Sequence, residues 1–183
     1  MRQVKGEWYL IKKDVDAGTI SSAKDFTQRK YAYFMDREAF SKIDDEVAYY
    51  ESALLFEHCD IIFEPTFMIH DRLQSLFQFL EPELQFKGVQ LYESRNQKET
   101  PAPLYWVPYL EYAPAIDKSS RIVQGRAQKL ILNGEYLSEN NYRRVLHCKL
   151  PAQDIWLLSL EGAECLLRRE PSGVWLERVD IRD

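Results

Sequence analysis

A strand–helix–strand pattern that occurs twice constrains this chain more than any other feature. In the C-terminal occurrence, Asp154-Ile155-Trp156-Leu157-Leu158 has strand composition, Ser159 is placed to cap a helix, and Gly173 to Ile181 returns to strand. In the earlier occurrence, Phe67-Met68-Ile69 leads into a helix over about 70–80, and Phe86 to Tyr92 follows as a strand. Leu73, Leu76, Phe77 and Leu80 fall at i, i+3, i+4 and i+7, one apolar helix face. A proline ends each helix, in the matching dipeptides Glu81-Pro82 and Glu170-Pro171. The two occurrences are either related lobes or a coincidence of a common unit. Both readings give an α+β fold: one domain over 1–183, mostly antiparallel sheet with a few helices.

The rest of the chain fills in around these units. Trp8 to Ile11, Tyr31 to Met35, Cys59 to Phe63 and Arg143 to Lys149 have strand character. Residues 14–30 and 94–103 are polar and read as loops. Asp36 suits the cap of a short helix through Lys42. Val47 to Phe56 fits either helix or strand, and Asp44-Asp45-Glu46 reads as a solvated turn. Leu104 to Tyr112 is an aromatic strand, and Pro108 predicts that it lies at an edge or is bulged. Arg121 to Val123 and Lys129 to Leu132 read as strands around Gly125. In the last helix, Ala163, Leu166 and Leu167 make the inward stripe, and Arg168 and Arg169 occupy the last turn.

Composition narrows the function classes. At 183 residues and 45% hydrophobic content the chain can bury a sizeable core. A formal net charge of −5 argues against a nucleic-acid partner, which calls for a basic face. The residues at the N-terminus carry no apolar run of signal-peptide length, and no stretch is long enough to cross a membrane. Three cysteines, an odd number without zinc or disulfide spacing, read as reduced thiols, and the expected location is cytoplasmic.

No residue set carries recognisable catalytic chemistry. His58-Cys59 and His147-Cys148 sit in strand-like segments, where neighbours point to opposite faces, so neither pair readily gives two ligands to one ion. Cys165 sits mid-helix between Glu164 and Leu166, a setting that does not activate a thiolate. The seven glycines are scattered, with no phosphate loop or dinucleotide fingerprint. The expectation is therefore no metal, no cofactor and no catalytic residue. The aromatic stretch offers a contact surface instead. Tyr105, Tyr109 and Tyr112, with Asp117 in the turn beyond, are the candidate partner-binding residues. The competing reading puts one face of that strand in the core and the tyrosines along a groove.

Three pieces of the chain resemble bacterial immunity proteins of polymorphic toxin systems, in particular the related families eleven and forty-three. They are Leu73 to Leu91, Tyr105-Trp106-Val107-Pro108 through Asp117-Lys118-Ser119, and Ile155 to Ser159 through Gly173-Val174-Trp175-Leu176. The resemblance spans Phe63 to Ile181, about two thirds of the chain, and rests mainly on apolar positions. It implies a protein that binds and neutralises a cognate toxin by direct contact. The alternatives are a small-molecule-binding or enzymatic domain, marked by a pocket of converging ionisable groups, and a scaffolding subunit, marked by a large apolar patch.

Overall fold

The computed structural model describes residues 6–14, 36–50, 59–64, 66–93 and 103–182. Their elements run β1 (Trp8–Lys13), α1 (Arg37–Ser41), β2 (Glu46–Tyr50), β3 (Ile61–Ile62), β4 (Met68–His70), α2 (Asp71–Leu80), β5 (Gln85–Glu93), β6 (Leu104–Tyr109), β7 (Arg121–Val123), β8 (Arg126–Lys129), β9 (Ile131–Asn133), α3 (Gly134–Glu139), β10 (Val145–Leu150), β11 (Gln153–Ser159), α4 (Leu160–Leu167) and β12 (Val174–Arg182). This is an α+β fold whose strand pairs are mostly antiparallel. The parallel pairs are β2 with β5 and β9 with β12. The chain forms two compact units. The first takes the described residues up to Lys12, Glu111–Arg169 and those from Trp175 onward; the second takes Lys13–Leu110 and Glu170–Val174.

In the first unit a five-stranded sheet has the order β10-β11-β1-β12-β9. Alternation along its strands builds the core. Trp8 and Leu10 of β1, Leu146, Cys148 and Leu150 of β10, and Ile155 and Leu157 of β11 share one buried cluster with Leu132 and Val179. Trp156 and Leu158 point to the other face, where Leu158 lies against Gly162 of α4. Ser159 caps α4 by accepting from Gly162 N–H at 3.2 Å. Leu167 departs from the predicted inward stripe: it is 55% exposed. Arg168 is the C-cap, so the two arginines lie at and beyond the helix end rather than in its last turn.

In the second unit the order is β2-β5-β6-β4-β3. Tyr105, Val107 and Tyr109 of β6 cluster with Met68, Val89, Leu91 and Phe40. Trp106 faces the opposite way and donates its indole N–H to Asp71, at the start of α2, at 2.8 Å. His70 ends β4 and caps α2, its Nδ1 accepting from Arg72 N–H at 3.2 Å. Leu73, Leu76, Phe77 and Leu80 are the buried face of α2, as the spacing predicts. Asp36 caps α1 and accepts from Ala39 N–H at 2.6 Å.

Several expectations need correction. β6 is flanked by β5 and β4 rather than lying at an edge. Of β6, however, β4 meets only Tyr105 and Trp106, so among the described residues Pro108 pairs with Phe86 of β5 alone, and the missing N–H is tolerated there. Cys59 to Phe63 shortens to the two residues of β3: Asp60 gives its N–H and its side chain to Ser172, while its carbonyl still accepts from His70 N–H of β4 at 2.7 Å. Asp45 is no free turn residue: it accepts from Gly88 N–H at 2.7 Å. Helix α3 was not predicted, although Asn133 caps it at Tyr136 N–H in the ordinary way. The expected loops over 15–30 and 94–102, the strand Tyr31 to Met35, the end of the ambiguous segment beyond Tyr50, and His58 lie outside the described residues.

Candidate interaction surface

The four residues expected to bind a partner separate. Tyr105 is 0% exposed and its hydroxyl donates to the Cys59 carbonyl at 2.6 Å. Tyr109 is 5% exposed and stacks on Phe40 with ring centroids 5.0 Å apart. Both fill the core of the second unit because positions 105, 107 and 109 share the inward face of β6. They therefore offer no surface, which corrects the assignment. Tyr112 is half-buried, with its ring 4.7 Å from the His147 imidazole and Lys149 Nζ 5.9 Å from its centroid. Burial pushes its phenol up to about 12, and the charge on Asp154 adds to the shift, so it stays protonated. Asp117 closes a turn, accepting from Ser119 N–H at 2.8 Å and from the Ser119 hydroxyl. Those two bonds hold its carboxyl below the usual aspartate range.

The remaining ionisable groups that draw attention are satisfied internally. His147 stacks on Trp156 at 4.0 Å, and its Nε2 lies 3.3 Å from Asp154. Lys149 donates to both Asp154 oxygens, at 2.8 and 2.9 Å. Burial raises the Asp154 pKa, but the bonds from His147 and Lys149 outweigh it and the net shift is downward. Cys148 points the other way into the core, and burial pushes its thiol up to about 12, far from a reactive thiolate. Cys59, Cys148 and Cys165 are free thiols. Among the described residues, no three His, Cys, Asp or Glu side chains converge as a metal site would require.

A buried polar latch was not legible in the sequence. Asp60 accepts from Arg72 Nη2 at 2.6 Å and from Arg72 Nε, and also from Ser172 N–H at 2.7 Å and Ser172 Oγ at 2.8 Å. Burial opposes ionisation of Asp60, but these donors prevail and hold its carboxyl below the ordinary range. With its oxygens filled, Asp60 joins chain segments rather than serving as a catalytic base.

The surface best formed for contact is the two-stranded ribbon β7–β8. Gln124 (φ 51°) and Gly125 (φ 76°) are both left-handed, the two-residue turn that matches the twist of a hairpin. Ile122 pairs with Ala127 and Arg121 with Lys129, so Gln128 is an extra residue, a bulge. Several contacts brace the ribbon. Ala152 N–H donates to the Gly125 carbonyl at 3.0 Å, and Ala127 N–H to Gln153 at 3.0 Å. Ser120 bonds Ile131 in both directions at its foot, and Lys129 pairs with Asp180 at 2.9 Å. Arg121, Val123, Arg126 and Lys129 share one face by register, while Ile122 shares the other with Ala127. Ile122 is 43% and Val123 39% exposed. No acidic residue occurs between Lys118 and Lys129, a stretch with four cations in a chain of net charge −5. That charge run and the Gln124-Gly125 turn were readable from the sequence; the exposure was not. Of the predicted contact residues, Asp117 lies in the turn at the foot of this ribbon.

The first unit also holds an open cleft of about 330 Å³, lined by residues that include Trp8, Leu137, Leu160, Asn141, Arg143 and Glu161. None of the groups with displaced pKa values lines it. Arg144 at its rim is engaged with Glu161 and with the Asn141 and Tyr142 carbonyls at 3.0 Å. No helix among the described residues is long and apolar enough to cross a membrane. No family model matches this chain, and no curated protein is significantly similar to it.

Proposed function

We propose that this chain is an inhibitor of the immunity type, which binds a cognate toxin and neutralises it by direct protein contact in the cytoplasm of a bacterial cell that makes both. The observation that carries this reading is the β7–β8 ribbon. A braced arm holds Ile122 and Val123 in solvent beside Arg121 and Arg126. A binding surface benefits from such rigidity, because less conformational freedom is lost on association. Exposed Tyr142, Leu160 and Trp175 add further apolar contact area to the same unit.

The test has two steps. The chain is used to recover a partner, and that partner is then expressed alone and together with the chain. Growth arrest by the partner alone, and normal growth with both, is the expected result. A partner that is harmless alone, or equally toxic with the chain present, ends the immunity reading. The 330 Å³ cleft favours a second reading, a small-molecule binder. A metabolite that raises the melting temperature of the wild type but not of a Leu137→Trp variant, which fills the cleft, would turn the assignment that way.

A further inference from the structure

We propose that the outer edge of β7 is a docking edge for an extended, acidic segment of a partner protein, which adds to the ribbon as a third strand. This deepens the reading of the chain as a protein-contact inhibitor and rests on it. Among the described residues β7 is paired on one side only, with β8, and Arg121, Ile122 and Val123 are all exposed along it. An open edge presents unpaired backbone donors and acceptors, and a strand added there satisfies them.

Charge selects the occupant. Arg121 and Arg126 flank Val123 on one face of the ribbon, and Lys118 stands just before it. None of these three has an ion-pair partner among the described residues, whereas Lys129 is tied to Asp180. A second copy of the chain pairing β7 with β7 would bring Arg121 and its neighbours against the same cations, which repel. A strand with carboxylates on the face shared by Arg121 and Arg126, and apolar β-branched side chains on the opposite face beside Ile122, is complementary on both faces. Nucleic acid offers the negative charge but no backbone to pair with the edge, and it meets a chain of net charge −5. Discrimination by charge and affinity by backbone pairing are the two components of strand addition.

The probe is a short fluorescein-labelled peptide of alternating glutamate and valine, titrated with the purified full chain by fluorescence anisotropy. Three comparisons accompany it: an alternating lysine–valine peptide, the glutamate–valine peptide with alternate amides N-methylated, and a single-stranded oligonucleotide. Saturable binding of the glutamate–valine peptide alone is expected, with about tenfold weakening in Arg121→Glu/Arg126→Glu and retention in Arg121→Lys/Arg126→Lys. Absence of saturable binding overturns the proposal. So does equal binding of the lysine or N-methylated peptide, tighter binding of the oligonucleotide, or indifference to the charge reversal in a variant that keeps the wild-type circular dichroism. The peptide titration is independent of toxicity. A positive titration with failed protection from a toxin removes the immunity reading alone, and protection with a negative titration removes the docking edge alone.

Discussion

The two units build the same sheet from differently ordered chain. In the second unit, β4 runs into α2 and the chain returns as β5, with β6 between the two strands. In the first, β11 runs into α4 and returns as β12, with β1 between them. The outer strands match as well. β4 and β11 each carry an antiparallel neighbour, β3 and β10; β5 and β12 each carry a parallel one, β2 and β9. Only the source of the middle strand differs: β6 comes after β5 in the chain, whereas β1 comes from the opposite end. The middle position asks for a strand with apolar side chains on alternate residues, and Trp8 and Leu10 meet that as Tyr105, Val107 and Tyr109 do. It does not ask for chain order. The consequence is kinetic: β1 pairs Trp8 with Ser159, so the first unit closes only through contacts of very long sequence separation.

The segments after the two helices also diverge. Glu81 is the C-cap of α2, while Glu170 lies beyond the C-cap of α4 in a left-handed conformation (φ 48°). The matching Glu-Pro dipeptides thus mark the same event in sequence and different geometry in space. After Glu170 the chain enters the second unit, where Ser172 bonds Asp60 and Arg72 donates to the Glu170 carbonyl at 3.2 Å.

The largest expected effect tests whether β1 and β6 are equivalent. Leu10→Asp and Val107→Asp each place a charge in the core beside a middle strand, and each should cost about 4 kcal/mol or more in urea unfolding. A small loss for Leu10→Asp with a large one for Val107→Asp would break the comparison. The Asp60 latch of the second unit comes next. Asp60→Ala leaves Arg72 and Ser172 without their acceptor and should cost about 3 kcal/mol. Because the folded pKa of Asp60 is lowered, its contribution is complete above the ordinary aspartate value of about 4 and is lost as pH falls through the folded value. Acid unfolding of wild type against Asp60→Asn should show the difference shrinking with acidity. A constant difference would detach the latch from the pH dependence.

Gly173→Ala should cost about 2 kcal/mol, since its φ is +80° and a Cβ would lie 2.6 Å from Cys59 Cβ. Gly125→Ala in the ribbon turn should cost about 1 kcal/mol, because the nearest atoms, on Ala152 and Pro151, are 3.0–3.1 Å away and φ is +76°. Thermal melts of both variants check the order, and a reversal would mean that the ribbon is more tightly held than the latch. The smallest effect belongs to exposed Phe79 on α2: Phe79→Ser should change stability by no more than about 0.5 kcal/mol.

Local chemistry by itself determined the caps at Asp36 and Ser159, the buried face of α2 and the opposed directions of His147 and Cys148. The pattern of the strand–helix–strand units was also legible. Each depends on residues within a few positions of one another, where backbone geometry leaves little choice. Of the candidate contact site, the cation run over Lys118 to Lys129 and the turn at Gln124-Gly125 were present in the sequence. Tertiary structure alone decided that Tyr105 and Tyr109 face inward, that Leu167 faces outward, that Asp60 meets Ser172, and that β7 pairs on one side only among the described residues. A strand has two faces and two edges of similar local chemistry, and which of them meets water is set by partners far away in the chain, as the arrival of β1 beside β11 illustrates.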